Sequence, residues 1–179
     1  MGSSRTRRRT IIVAVAAGVV AGAVAWFQPQ KLLINQRVDE ALPAAATPPS
    51  GASGTSPSQS PTRAANPEPT ILSTSPFRSL GHPTSGRAVA LELADGRRFL
   101  RLADLRTSNG PDLFVYLSRA AVDAPRDTFD DDFVSLGRLR ANQGNQNYAI
   151  PPGVPLDRYQ SVVLWCRRFT YAFGAAALG

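Results

Sequence analysis

Ser161-Val162-Val163-Leu164-Trp165-Cys166-Arg167-Arg168-Phe169-Thr170-Tyr171-Ala172-Phe173 is the densest apolar and aromatic run outside the amino-terminal segment, and it holds the single cysteine of the chain. At period 2, Val162, Leu164 and Cys166 share one face of a strand and Val163 and Trp165 the other. A strand apolar on both faces belongs inside a sheet sandwich, which predicts a buried Cys166. Beyond the arginine pair, Phe169, Tyr171 and Phe173 alternate with smaller residues as a second, one-sided strand would, and a kink or bulge is expected at the arginines.

The segments upstream carry similar signals. Val89, Leu91 and Leu93 alternate within Arg87 to Leu93, and Asp95-Gly96 offers the positive φ of a tight hairpin turn before Phe99 to Leu102. Asn109-Gly110-Pro111 is a turn cluster. Leu113 to Ser118 reads as a strand with Leu113, Val115 and Leu117 opposite Phe114 and Tyr116, apolar on both sides again. Phe133 to Leu139 gives another strand with a bulge or bend at Gly137. Asn142 to Asn147 reads as a polar turn, Tyr148 to Ile150 as a short strand, Pro151-Pro152-Gly153 as a stop and Leu156 to Tyr159 as one helical turn. Short strands at this spacing, without an amphipathic helix, predict an all-β fold over 77–179, a β-sandwich or partly open barrel of antiparallel strands. About 100 residues can bury a self-sufficient core.

Four further regions precede that domain. Residues 1–10 form a basic terminus with Arg5, Arg7, Arg8 and Arg9. Ile11 to Phe27 is an uncharged apolar run of about 25 Å as a helix, slightly short of a bilayer core. The arginines upstream and Trp26-Phe27 downstream predict a single-pass membrane anchor, with a cytoplasmic amino terminus and an extracytoplasmic remainder. A cleaved signal peptide is the alternative, since Ala23-Val24-Ala25 has the form of a cleavage site. Gly18 and Gly22 form a G-x-x-x-G pair that would let two such helices dimerise, although a segment built from Ala, Val and Gly needs no such cause. Leu32, Leu33, Ile34, Val38 and Leu42 suit a short amphipathic helical continuation over 28–42. Residues 43–76 are Pro, Ala, Ser, Thr and Gly with almost no bulky side chain, and read as a disordered linker reaching about 30 to 35 Å as a coil.

The net charge of +7 at pH 7 suggests nucleic acid until it is located. The four terminal arginines supply more than half of it. From Phe77 onward 13 Arg face 10 Asp and Glu, interspersed and without a basic block, so nucleic acid is not an expected partner. One cysteine and one histidine, His82, exclude c-type haem attachment, zinc-finger spacings and a blue-copper ligand set within one chain. Asp127, Asp130, Asp131 and Asp132 lack the spacing of a calcium loop and read as a solvated turn. No Ser-His-Asp set, carboxylate pair, P-loop or dinucleotide fingerprint can be argued, and the chain is not read as an enzyme.

Several motifs in order resemble the DM13 domain: Gly81-His82-Pro83-Thr84-Ser85-Gly86-Arg87-Ala88, Asn109-Gly110-Pro111-Asp112-Leu113-Phe114-Val115-Tyr116-Leu117, Leu136-Gly137-Arg138-Leu139, Gly144-Asn145-Gln146-Asn147-Tyr148-Ala149-Ile150-Pro151, and Val163-Leu164-Trp165-Cys166 with Phe169, Phe173 and Gly174. The resemblance implies a β-sandwich, sometimes found beside DOMON domains in presumed extracellular electron-transfer chains, with a cysteine proposed as redox-active. Here that position is Cys166. No DOMON domain accompanies it in this chain.

Cys166 is therefore the redox candidate, and Arg167 and Arg168 are the sequence-adjacent charges that would lower a thiol pKa. Burial opposes this, and a buried structural cysteine is the competing reading. His82, Asp112, Tyr116, Tyr148 and Trp165 are the candidate pocket or supporting residues. His82 would carry a proton or bind a ligand, or else be a solvated turn residue; the tyrosines would line a pocket or pack in the core. The two functions carried forward are a redox or electron-transfer role at Cys166, and a non-catalytic binding or structural module for cell-wall glycan or an envelope protein.

Overall fold

The computed structural model describes residues 35–45 and 68–179. The anchor expected over 11–27, the Gly18 and Gly22 pair and most of the expected linker lie outside the described residues. Among those described, no helix is long and apolar enough to cross a membrane.

Among the described residues ten strands build two sheets: β1 (Arg37–Asp39), β2 (Thr70–Pro76), β3 (Arg78–Ser79), β4 (Thr84–Glu92), β5 (Arg98–Thr107), β6 (Leu113–Ser118), β7 (Phe133–Arg138), β8 (Gln143–Ile150), β9 (Ser161–Cys166) and β10 (Tyr171–Ala177). One sheet has the order β1-β8-β5-β4-β2 and the other β3-β10-β9-β6-β7. All pairings are antiparallel except β1 with β8, which is parallel. The all-β sandwich expected from the strand spacing is the observed architecture.

The core lies between the sheets, with Ala88, Ala90, Leu100, Leu102, Leu105, Tyr148 and Ile150 from the first and Leu113, Val115, Leu117, Val162, Leu164, Cys166 and Phe173 from the second. In β5 the inward phase shifts from Leu100 and Leu102 to Leu105, because a bulge inserts a residue there and Asp104 takes φ 51. The second sheet is buried on its outer face too. Tyr116, Val163, Trp165, Ala172 and Ala175 pack under the connection between β6 and β7, whose Phe129 is fully buried among them. Two-sided burial of β6 and β9 is what their uninterrupted apolar runs predict.

Several expectations need correction. The stretch from Asn142 to Asn147 is not a turn: β8 runs from Gln143, and its buried positions Gly144, Gln146, Tyr148 and Ile150 alternate. Composition concealed this, because a buried glutamine is admitted only where its amide is fully bonded. The helical continuation fails at Arg37–Asp39, which form a strand because the open edge of β8 offers backbone partners. The folded domain takes in β2 from Thr70, upstream of the expected start at Phe77, since β2 pairs with β4 although Ile71 and Leu72 stay exposed. Phe169 does not join the last strand. It is 66% exposed in the turn that replaces the expected kink, and the bulge falls between Ala172 and Gly174 instead. The expected bulge at Gly137 is present, as a register shift between β6 and β7.

Candidate functional site

Cys166 is the last residue of β9, paired with Leu113 of β6 and Tyr171 of β10. It is fully buried in the inter-sheet core. Because strand side chains alternate, Arg167 emerges on the other face. Its Nε donates to the Tyr116 hydroxyl at 2.6 Å and its guanidinium lies 3.7 Å from the Phe114 ring centroid. The cation adjacent in sequence is thus held across the sheet from the sulfur, and Arg168 is exposed in the turn. Arg167 does not serve the thiol as the sequence suggested.

Separated stretches meet at this end of the sandwich. The His82 ring stacks on Phe173, with centroids 3.8 Å apart and planes at 28°, and meets Tyr171 edge-on at 6.5 Å. The backbone N–H of His82 donates to the Phe173 carbonyl at 3.2 Å, which fixes the Gly-His-Pro loop against β10. Below it the hydroxyls of Thr84 and Thr107 pair at 2.9 Å, and Thr84 Oγ1 also donates to the His82 carbonyl at 3.1 Å. The loop carrying Gly110 closes the same end: a Cβ on Gly110 would stand 2.9 Å from Leu113 Cγ and 3.0 Å from Phe173 Cζ, so a larger residue would require those side chains to shift. Asp112 accepts from the Arg167 N–H through its carbonyl at 3.0 Å and pairs with Arg138 through its carboxylate.

Trp165 and Tyr116 lie behind Cys166 on the outer face. Their ring centroids are 6.4 Å apart, and Phe133 stacks on Tyr116 at 4.1 Å. Tyr148 belongs elsewhere. It projects from β8, its hydroxyl donates to Gln146 Oε1 at 2.9 Å and accepts from the Arg140 N–H at 3.2 Å. Burial pushes the Tyr148 phenol above its ordinary range, against the lowering effect of Arg140. The structure therefore brings His82 and Asp112 to the Cys166 end, sets Tyr116 and Trp165 behind it, and assigns Tyr148 to a structural network. A cleft of about 510 Å³, lined in part by Glu92, Arg98, Asp157 and Tyr159, contains none of these candidates.

Three features escaped the reading of residues. Phe173 is the ring on which His82 and the Gly110 loop converge. Phe129 plugs the outer face from within a polar connection, a position with no periodicity to reveal it. Gln146, fully buried, accepts from the N–H groups of Arg140 and Ala141 and donates to the Ala141 carbonyl at 2.7 Å. The alternation Gly144, Gln146, Tyr148, Ile150 was the available signal for it.

The family described as Electron transfer DM13 matches residues 76–178, more than half of the chain. No curated protein and no solved structure matches significantly. The family match spans β3 to β10 of the two-sheet sandwich, Cys166 and the motif residues gathered near it included, and it assigns this chain to the DM13 electron-transfer family.

Proposed function

We propose that this chain is an electron-transfer domain held on the extracytoplasmic side of a membrane by its apolar amino-terminal segment, with Cys166 as its redox centre. The carrying observation is convergence: His82, Gly110, Asp112 and Phe173, distant in sequence, all pack around the strand end that holds the one cysteine. A sulfur enclosed in an apolar core is protected from soluble thiols, so its chemistry is gated by opening of the end loops. The exposed turn at 167–170, in which Thr170 takes φ 49, directly follows it in the chain. Support for the membrane side comes from Arg5 to Arg9 and Ile11 to Phe27 alone.

A second reading has its own observation. Phe133 is 36% exposed, and Phe114 is half-buried between Arg138 and Arg167, whose guanidinium groups lie 5.4 and 3.7 Å from its centroid. Such an aromatic and cationic face suits a glycan or an envelope protein.

The test is the reactivity of the Cys166 thiol in the folded chain. The expected result is slow alkylation without denaturant, and a peroxide-dependent change in tryptophan fluorescence that Cys166→Ser abolishes. Cys166→Ala should cost about 1 to 2 kcal/mol of stability, and Cys166→Ser as much or more because it buries a hydroxyl. A thiol untouched by alkylating reagent or peroxide until the protein is unfolded would sink the redox reading and leave the aromatic face as the functional surface.

A further inference from the structure

The outer edge of β8 is covered by a segment upstream of the family match. Arg37, Val38 and Asp39 run parallel to Gln143, Gly144 and Asn145. The Gln143 N–H donates to the Gln36 carbonyl at 3.1 Å and the Glu40 N–H to the Asn145 carbonyl at 2.8 Å. Side chains of the edge then read the segment's backbone. Asn142 Oδ1 accepts from the Gln36 N–H at 2.7 Å, Asn147 Nδ2 donates to the Ala41 carbonyl at 2.7 Å, and Arg101 donates to the Glu40 carbonyl at 3.1 Å. Arg97 reaches the Ala44 carbonyl at 3.0 Å.

Two carboxylates are recognised as well. Asp39 Oδ1 accepts from the Asn145 N–H at 3.2 Å and from Asn145 Nδ2 at 2.8 Å. Glu40 pairs with Arg140 and accepts from the Asn147 N–H at 2.8 Å. Gly144 makes room for all of this. A Cβ there would stand 2.2 Å from the Val38 carbonyl oxygen, and φ is +100. Apolar side chains contribute little, since Leu42 is 57% exposed. The recognition is of an extended backbone with two consecutive acidic residues, which is strand addition to a sheet edge.

We propose that the edge formed by Asn142, Gly144, Asn145 and Asn147 is a strand-acceptor site for an extended acidic peptide, and that its resident occupant is this chain's own segment 36–44. The occupant is seated there, and the covalent path allows it. The chain returns as β2 at the far edge of the same sheet, four strand spacings or about 19 Å away. The residues between Ala45 and Thr70 reach several times that distance. Closure within one chain supplies an effective concentration in the millimolar range, so a weak edge strand suffices. The stretch read as a linker then has both ends bonded to one domain. The spacing from any anchor is then set by the residues before Gln36.

Hydrogen exchange on the full-length chain in detergent tests this. The amides of Glu40, Gln143 and Asn147 should be protected, and should exchange at least about tenfold faster in the double variant Glu40→Lys, Asn147→Ala, while β9 is unchanged. Independently, a protease site placed between residues 50 and 60 should, once cut and diluted, release the protection at Gln143. A synthetic peptide of residues 35–45 should restore it, and the same peptide with lysine at both acidic positions should not. Free exchange of these amides in the parent, or failure of the peptide to restore protection, would overturn the site. Protection that depends on protein concentration before cutting would overturn the resident occupant by assigning the segment to a second copy.

Discussion

β9 and β8 are both long-range strands of one sandwich, yet different physics holds each. All six residues of β9 are buried, with apolar side chains on both faces of its sheet. Its stabilisation is non-directional and scales with area removed from water. β8 alternates buried residues with half-buried or exposed ones, buries a glutamine, and presents asparagines to a neighbouring segment through specific bonds. Its stabilisation is directional and electrostatic. One strand should respond chiefly to lost volume, the other to lost partners and lost charge.

Trp165→Ala carries the largest expected effect. Trp165 is 1% exposed beneath the connection carrying Phe129 and beside Tyr116. Its truncation should cost about 3 to 5 kcal/mol, read as a lowered urea midpoint with unchanged m. A loss below about 1 kcal/mol would show that the outer face is not packed as described and erase the contrast with β8.

Gln146→Leu comes next, with an expected loss of about 2 to 3 kcal/mol. The leucine fills the space but leaves the Arg140 and Ala141 N–H groups and the Tyr148 hydroxyl without Gln146 as partner. Adding Tyr148→Phe should cost less in that background than alone, because the hydroxyl has already lost its shorter bond, to Gln146 at 2.9 Å, and keeps only the Arg138 carbonyl at 3.3 Å as acceptor. A double-mutant cycle measures the difference, and additive losses would show that the three groups do not act as one network.

The smallest effect is the acid response of β1. At Asp39 the Arg37 hydrogen bond, then that of Asn145, hold the carboxyl below its ordinary 3.8. At Glu40 burial raises the value, but the Arg140 and Asn147 bonds outweigh it and leave the carboxyl below 4.5. With folded values depressed, the unfolded state binds more protons in acid. The contribution is present above the unfolded values and is lost as pH falls through the folded ones. Exchange protection at Glu40 should therefore fade below about pH 4 while that of β9 persists. Simultaneous loss at both strands would mean that β1 does not open separately from the core.

The contrast also explains what could be read in advance. β6 and β9 were legible to within a residue, because apolar runs on both faces have one low-energy placement, inside a sandwich. The order Asp95-Gly96 specified a hairpin turn that the structure keeps, with Gly96 at φ 79. β8 was legible only in its last three residues, since polar side chains can face either water or a buried partner and composition does not distinguish the two. β1 and the true start of β2 were not legible for the same reason, as neither segment is apolar enough to demand burial.

The sequence alone determined the all-β class, the burial of Cys166 and its family, all of which follow from local periodicity and from motif residues in fixed order. The tertiary structure alone decided that Arg167 sits across the sheet from the sulfur, that His82 and Gly110 meet on Phe173, and that the segment 36–44 closes the edge of β8. The physical reason is range. Alternation is a property of neighbouring residues, whereas partners for hydrogen bonds and charges are chosen among residues a hundred positions apart, and only the fold brings those together.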